Sequence, residues 1–180
     1  SMPRPSGFPV WFHAASVGEA NAVLPVIDAI AAEHPEICLL LTTGTVTSAK
    51  LARARLPKGA VHQYVPLDNQ VYVRRFLEHW QPDLAVFVES EIWPNLVLET
   101  NALNIPLVLV NGRMSFRSFR RWRNRPGLSR PLFSAFGLVL AQNERFAQRF
   151  TALGAALAVP VGNLKIDAPP PPVDLAGHKK

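Results

Sequence analysis

Phe8-Pro9-Val10-Trp11-Phe12 is a short apolar run, and His13-Ala14-Ala15-Ser16-Val17-Gly18-Glu19 follows it directly. An amphipathic segment, residues 20–33, comes next. The pattern predicts a strand, a turn of small residues and a helix, with one carboxylate at the turn. Because ligands of open parallel α/β sheets bind where strands end and helices begin, Glu19 is the first candidate for chemistry.

Apolar runs alternate with segments of helical period along the rest of the chain. Most runs are continuously apolar, as expected of strands buried on both faces of a parallel sheet. They cover residues 10–14, 37–41, 61–65, 84–88, 107–110, 138–140 and 157–161. The third run is more mixed, which indicates a position nearer the sheet edge. Helices are predicted at 20–33, 46–55, 70–80, 94–103, 128–136 and 144–153. Asn69 and Asn143 are predicted to cap the third and the last of these helices, and Gly154 to end the last one. Repeated βα units with short loops predict an α/β fold, a Rossmann-like parallel sheet with helices on both faces.

The composition is that of a globular chain with an excess of positive charge. Of the 180 residues, 48% are hydrophobic and 18% are charged, which argues against a disordered chain. The only cysteine, Cys38, lies in an apolar run, so no internal disulfide forms and a reducing compartment is expected. The formal net charge of +6 favours anionic partners: phosphates, nucleic acid or an acidic membrane face.

The two ends of the chain differ in composition from the middle. Residues 1–7 are expected to be a tag remnant and a loose lead-in, and residues 8–167 the Rossmann-like domain. Residues 168–180 are rich in proline and predict a linker toward a further domain. No apolar run approaches the roughly eighteen residues of a membrane span, and no signal peptide is recognisable.

Glu19 has two interpretations. It is a general base that takes a proton from a substrate hydroxyl, or a first-turn carboxylate that stabilises the helix through the helix dipole. A helix N-terminus lowers the pKa of a carboxylate and weakens it as a base. The first interpretation therefore requires burial or a second nearby carboxylate as an offset. Ser16 and Gly18 belong to the same candidate site.

A second candidate site follows the second apolar run. Thr42-Thr43-Gly44-Thr45-Val46-Thr47-Ser48 offers hydroxyl and backbone N–H groups at a helix start, which hold phosphate or sugar hydroxyls. The alternative is ordinary capping of the helix by Thr45 or Thr47. The spacing matches neither a Walker A loop nor Gly-x-Gly-x-x-Gly, so no nucleotide fingerprint is present.

A third candidate site, Glu89-Ser90-Glu91-Ile92-Trp93-Pro94-Asn95, follows the fourth run. Carboxylates suit the recognition of hydroxyl groups, and a tryptophan beside polar groups suits stacking on a sugar ring. Capping residues beside a packed tryptophan would explain the same residues without a ligand.

A basic segment, residues 111–130, follows the fifth run. It holds seven arginines, among them Arg113, Arg117 and Arg120, with Phe116, Phe119 and Trp122 between them. Arginine matches phosphate geometry, and the aromatic residues suit an interfacial helix or stacked bases. A phospholipid-like ligand, nucleic acid and a solvated basic face all remain open. The histidines have no metal-ligand spacing, so no metal site is predicted.

Five stretches in this order resemble the 3-deoxy-D-manno-octulosonic acid (Kdo) transferases of Gram-negative bacteria. They are residues 13–19, 42–45 with Thr47, 89–95, 111–118 with Trp122, and Gly162-Asn163-Leu164-Lys165-Ile166-Asp167. Gly112 and Met114 depart from the family pattern, where Ala and Leu are expected.

The resemblance implies the N-terminal, acceptor-side half of a GT-B glycosyltransferase, whose C-terminal domain binds most of the donor CMP-Kdo. Such an enzyme transfers Kdo with inversion to lipid IVA, a phosphorylated and acylated disaccharide, at the cytoplasmic face of the bacterial inner membrane. Glu19 would be the general base. The resemblance and the side-chain chemistry of these stretches together give the candidate substrate-binding residues, with the arginines chosen on their side chains: Ser16, Gly18, Thr43, Gly44, Thr45, Glu89, Glu91, Trp93, Asn95, Arg113, Arg117, Arg120 and Lys165.

The resemblance carries further expectations. The partners are the lipid acceptor, the donor CMP-Kdo and an anionic membrane surface, with no nucleic acid. Neither a metal nor another cofactor is needed, because a phosphate leaving group requires little assistance. The chain alone is expected to be inactive. Two alternatives stay open: the N-terminal domain of another nucleotide-sugar glycosyltransferase, and a basic nucleic-acid-binding domain.

Overall fold

The computed structural model describes residues 7–164. The strands are β1 Phe8–His13, β2 Ile37–Thr43, β3 Val61–Tyr64, β4 Leu84–Val88, β5 Leu107–Gly112, β6 Phe136–Ala141 and β7 Ala158–Pro160. The helices are α1 Val17–Glu33, α2 Val46–Arg55, α3 Gln70–Trp80, α4 Pro94–Ala102, α5 Phe116–Arg123, α6 Pro126–Ser134 and α7 Glu144–Leu153. The predicted linker, residues 168–180, and Lys165 lie outside the described residues. No helix of residues 7–164 is both long and apolar enough to cross a bilayer.

The strands form one parallel sheet in the order β3-β2-β1-β4-β5-β6-β7. The chain fills one half of the sheet from β1 to β3 and then returns to β4 on the other side of β1. This reversal leaves a crevice at the carboxyl ends of β1 and β4, where ligands of such sheets bind. His13, the last residue of β1, is paired in register with Thr42 of β2 and Phe87 of β4.

Each face of the sheet is covered by helices. Val23, Leu24 and Ile27 of α1 pack on one face against side chains such as Phe12 and Val88. On the opposite face, α3, α4, α6 and α7 bury a larger cluster; its sheet residues include Trp11, Phe87 and Leu109. Burial on both faces explains the continuously apolar strands. The predicted fold class, a Rossmann-like sheet with helices on both faces, is confirmed.

Several local predictions are also confirmed. β3 is an edge strand, and none of its residues is fully buried. Asn69 and Asn143 accept hydrogen bonds as N-caps of α3 and α7, and Gly154 ends α7 in the left-handed region with φ 118°. Thr45, rather than Thr47, caps α2. Turn and capping chemistry is local, so the sequence predicts it well.

Some helix boundaries were predicted wrongly. α1 begins at Val17, about one turn before the predicted start, because Ser16 and Glu19 form a reciprocal capping box. Phe136 was assigned to the end of a helix, but it begins β6 and is fully buried opposite Leu107 of β5. The segment Phe116–Arg123 was not among the predicted helices, yet it forms α5, capped by Ser115.

Gly112 has a packing reason that the sequence did not show. A Cβ at this position would lie 3.1 Å from Cε2 of Phe150 and 3.2 Å from Cγ1 of Val139. The alanine expected from the family pattern would therefore require these two core side chains to yield slightly.

Candidate active site

The four candidate stretches lie side by side at the carboxyl edge of the sheet. All seven strands are parallel, so the loops after β2, β1, β4 and β5 are neighbours in that order. The two stretches that contain glutamates, residues 13–19 and 89–95, form the central loops after β1 and β4, and the crevice lies between them. The threonine stretch flanks them on one side and the basic segment on the other.

Glu19 is held at this edge by the start of α1. Its Oε2 atom accepts a hydrogen bond from the backbone N–H of Ala15 at 2.8 Å and a longer one from that of Ser16 at 3.3 Å. The N–H of Glu19 in turn donates to Oγ of Ser16. Among residues 7–164, no group donates a hydrogen bond to the other oxygen, Oε1. One oxygen therefore anchors the side chain and the second is left for a ligand.

Three carboxylates converge on the crevice. Burial raises the pKa of Glu19 above its usual range, and the charges of Glu91 and, more weakly, Glu89 raise it further, whereas hydrogen bonds from Ser16 lower it. Burial likewise raises the pKa of Glu91, against the effect of a hydrogen bond from Trp93. Both offsets that a base at a helix N-terminus requires, burial and a second carboxylate, are thus present.

Glu89 shapes the loop after β4. It is buried and has a left-handed backbone with φ 58°, which is unusual for a residue with a Cβ. Asn111, next to the last residue of the neighbouring strand β5, is also buried and left-handed, with φ 54°. Nδ2 of Asn111 donates to Oε1 of Glu89 at 3.3 Å, so the two strained turns support each other.

Trp93 and Asn95 have structural partners. Nε1 of Trp93 donates a hydrogen bond to Oε2 of Glu91, and its ring packs edge-on against His13 with the centroids 5.6 Å apart. The side chain of Asn95 donates to the backbone oxygen of Asp68, whose carboxylate accepts the N–H of Leu96 at the start of α4. The structure thus joins Trp93 to the acidic cluster and ties Asn95 to the loop before α3.

The threonine stretch is largely engaged in local structure. Thr43 is buried and its hydroxyl lies 2.9 Å from Nε2 of His62. Thr45 forms a capping box with Ser48. Gly44 is exposed, and a Cβ there would lie 3.2 Å from the carbonyl oxygen of Ala15. Close packing of the loops after β1 and β2 accounts for this glycine.

The basic segment lines a cavity next to the loop after β4, which contains Glu89 and Glu91. The cavity is about 380 Å³ in volume and is lined by Ser90, Ile92, Arg113, Met114, Ser115, Ser118, Arg121 and Trp122. Residues 113–130 contain no Asp or Glu. Within residues 7–164, no ion pair involves an arginine of this segment. A positively charged cavity with several hydroxyls is suited to a phosphate group.

The aromatic residues of α5 divide between core and solvent. Phe119 and Trp122 are partly buried against the core, and Trp122 lies edge-on to Phe133 with centroids 5.7 Å apart. Phe116 is 60% exposed and lies beneath the guanidinium of Arg149, 5.7 Å from the ring centroid. Phe119 and Trp122 therefore anchor the helix, and Phe116 has the most exposed ring of the three; an interfacial role for these rings stays a prediction.

Comparison with known proteins identifies the family. The family model described as 3-deoxy-D-manno-octulosonic-acid transferase (kdotransferase) matches residues 2–168. The chain belongs to the Kdo transferase family. The 3-deoxy-D-manno-octulosonic acid transferase of Rickettsia felis is 44% identical over 156 residues, which cover 87% of this chain and 33% of the relative. A probable mitochondrial 3-deoxy-D-manno-octulosonic acid transferase of Arabidopsis thaliana is 37% identical, over 100% of this chain and 38% of the relative.

The chain thus spans about a third of the length of the curated Kdo transferases it matches. Among solved structures, it is similar to a UDP-GlcNAc 2-epimerase from Neisseria meningitidis with a TM-score of 0.64. That likeness covers 89% of this chain and 48% of the epimerase at 14% identity, so it shows the fold alone.

Several residues in this site of the Kdo transferase chain were not selected from the sequence. His13, which belongs to the motif at residues 13–19 but was given no role, is fully buried beside Glu91. Ser90, Ser118 and Arg121 line the basic cavity but were not selected from their motifs. Their proximity depends on which loops become neighbours, which no local pattern reveals. Among residues 7–164, no three His, Cys, Asp or Glu side chains are placed to hold a metal ion; the metal-free reaction stays a prediction.

Proposed function

We propose that this chain is the acceptor-binding, base-supplying domain of an enzyme that transfers Kdo from CMP-Kdo to lipid IVA. The observation that carries the proposal is Glu19, a buried carboxylate with one oxygen fixed by Ala15 and the other without a hydrogen-bond partner among residues 7–164. It lies at the reversal of the strand order in a chain that belongs to the Kdo transferase family. The donor would be bound mostly by a C-terminal domain that completes a GT-B enzyme.

In the proposed reaction, Glu19 removes the proton of an acceptor hydroxyl, and the resulting oxygen attacks the anomeric carbon of Kdo. The bond from that carbon to the CMP oxygen breaks as the new bond forms, so the configuration inverts and CMP leaves with the electron pair. A raised pKa suits Glu19 to this task, because a stronger base accepts a hydroxyl proton more readily. A phosphate leaving group requires little acid assistance, so no metal or further cofactor takes part.

The other carboxylates and the basic cavity position the acceptor. Glu91 and Glu89 would accept hydrogen bonds from sugar hydroxyls, and the cavity beside Arg113 and Arg121 would hold a phosphate of lipid IVA. Arg117, Arg120 and the exposed Phe116 extend this surface toward an anionic membrane. Lys165 and the threonine stretch would complete substrate binding. We place the enzyme on the cytoplasmic face of the bacterial inner membrane.

The test uses an enzyme of full family length that carries this chain. Incubation with CMP-Kdo and lipid IVA is expected to yield Kdo-modified lipid and CMP, detected by mass spectrometry. The 180-residue chain alone should yield neither, since most of the donor site lies elsewhere. Turnover by the chain alone would contradict the proposal that a separate C-terminal domain binds most of the donor. Transfer of a different sugar from its nucleotide donor would favour the alternative glycosyltransferase.

The pH dependence follows from the raised pKa of Glu19. A base must be deprotonated, so kcat/KM should fall as the pH decreases through a value above the ordinary glutamate range. Part of the rise comes from the charge of Glu91. Glu91→Gln removes that charge, so it should shift the acidic limb of kcat/KM to lower pH. A limb that stays in place would show that the two carboxylates are not coupled.

A further inference from the structure

His13 contains a buried polar atom without a hydrogen-bond partner. Among the buried side-chain nitrogen and oxygen atoms of residues 7–164, its Nε2 is the one that lacks a partner. The residue has no exposed surface. Leaving such an atom unsatisfied costs about 1–3 kcal/mol, so a buried imidazole in this state requires a reason.

The reason lies in what Nε2 faces. It is 3.9 Å from Oε2 of Glu91, beyond a hydrogen bond but without room for another group between them. Phe87 and Trp93 lie edge-on to the imidazole, with ring centroids 5.5 and 5.6 Å away, so the ring is confined. Glu91 is partly exposed and belongs to a loop. A shift of about one ångström by the carboxylate would complete the hydrogen bond.

The other ring nitrogen determines which tautomer is present. Nδ1 lies 3.0 Å from Oγ1 of Thr42, and the same Oγ1 accepts a hydrogen bond from Nε1 of Trp11 at 2.8 Å. The single proton of the Thr42 hydroxyl has two acceptors within reach, Nδ1 of His13 at 3.0 Å and the carbonyl oxygen of Phe12 at 3.3 Å. Donation over the shorter distance, to Nδ1, leaves the proton of the neutral ring on Nε2, where it points toward Glu91. The opposite tautomer would aim a lone pair at a carboxylate and is disfavoured. Burial lowers the pKa of His13 to about 4, so the ring is neutral at physiological pH.

Glu91 then has two N–H groups directed at one oxygen. Nε1 of Trp93 already donates to Oε2, and Nε2 of His13 faces the same atom. No group of residues 7–164 donates to Oε1 of Glu91. The arrangement mirrors that of Glu19, in which backbone N–H groups hold Oε2 and leave Oε1 unbonded. Both carboxylates would thus present one oxygen each to the same ligand.

We propose that His13, as its Nε2–H tautomer buttressed by Thr42 and Trp11, is a positioning residue that holds Glu91 by Oε2 so that Oε1 receives an acceptor hydroxyl. This inference rests on the proposed function for its kinetic consequence. Its structural part, the tautomer and the coupling to Glu91, does not depend on any activity.

Two amide variants separate this role from simple packing. His13→Gln places an amide N–H near the position of Nε2, whereas His13→Asn keeps a polar group near Nδ1 and loses the donor to Glu91. In the full-length enzyme, we expect His13→Asn to lower kcat/KM for the acceptor by about 10-fold or more, as for a lost hydrogen bond to a charged group. The kcat/KM of His13→Gln should stay within about 3-fold of the parent value, because the amide N–H keeps most of the hydrogen bond to Glu91. The reverse order would overturn the proposal, because contact with Thr42 would then be what matters.

A double-mutant cycle tests the coupling to Glu91. In a Glu91→Gln background, the Asn and Gln variants of His13 should have the same kcat/KM, since the carboxylate that distinguishes them is gone. Independent, additive losses would overturn the proposal.

The tautomer is measured on the 180-residue chain itself by ¹⁵N NMR of labelled histidine. We expect the His13 signals of a neutral ring protonated at Nε2 near pH 7, with the Nε2 shift changing as Glu91 titrates and losing this change in Glu91→Gln. A ring protonated at Nδ1 would overturn the proposal without bearing on catalysis. If instead Glu19→Gln leaves turnover unchanged while the tautomer is as expected, the proposed function fails and the role of His13 in holding Glu91 stands.

Discussion

Glu19→Gln is expected to lower kcat by at least about 10²-fold in a full-length enzyme that carries this chain, the lower end of the range for a lost general base. An amide cannot accept the hydroxyl proton at neutral pH. Its oxygen can still accept the N–H bonds of Ala15 and Ser16, which now hold Oε2. The capping box therefore survives, and the domain should unfold at nearly the same temperature as the parent.

Glu144→Gln provides the matched control. Glu144 is also a first-turn carboxylate, on α7, but it is exposed and its Oε1 accepts a hydrogen bond from Gln148. The substitution removes the same charge from the same kind of helix position, so any general dipole effect is shared between the two variants. Unchanged turnover in Glu19→Gln, or an equal loss in both variants, would remove Glu19 from the chemical step.

Replacing both Arg113 and Arg121 with Ala is expected to raise KM for lipid IVA by about 10²-fold, with a smaller change in kcat. Both residues line the cavity beside Ser90, and neither forms an ion pair among residues 7–164. A hydrogen bond to a charged group contributes about 1.5–3 kcal/mol, and both arginines are exposed, so the lower end of that range applies to each.

The control is the double replacement of Arg125 and Arg130, which also removes two positive charges from the basic segment. Both are exposed, and neither lines the cavity. General attraction to an anionic lipid surface should fall equally in the two double variants. A phosphate-free acceptor should show the same KM with the parent and with the Arg113/Arg121 variant. Equal KM increases in the two double variants would instead assign the segment to nonspecific membrane attraction, and salt-sensitive oligonucleotide binding would favour the nucleic-acid alternative.

Local sequence patterns predicted most of the fold because each strand and helix of a parallel α/β unit is specified by a short stretch of sequence. Continuously apolar runs indicated strands buried on both faces, and single residues such as Asn69 and Gly154 indicated where helices begin and end. The errors came where distant contacts override local preference. Phe136 belongs to β6 because it pairs with Leu107, about thirty residues earlier in the chain.

The candidate site was only partly predictable. Glu19, Glu89 and Glu91 could be selected because each follows a predicted strand, and parallel strands end at a common edge. Their convergence on one crevice required the strand order, which places β1 beside β4 rather than β3. Asn95 was selected as a binding residue in the same way, but its side chain donates to the backbone oxygen of Asp68. No sequence pattern indicated that the loop containing Asp68 lies beside Asn95.

The sequence by itself determined the alternation of strands and helices, the capping of α3 and α7 by Asn69 and Asn143, the excess of positive charge in residues 113–130 and, through its motifs, membership of the Kdo transferase family. The tertiary structure alone decided which groups meet. His13 faces Glu91, and Arg121 reaches the cavity beside Ser90, only because sheet pairing and helix packing bring together loops far apart in the chain. The pKa of Glu19 likewise depends on burial and neighbouring charge, which are properties of the folded crevice rather than of any motif.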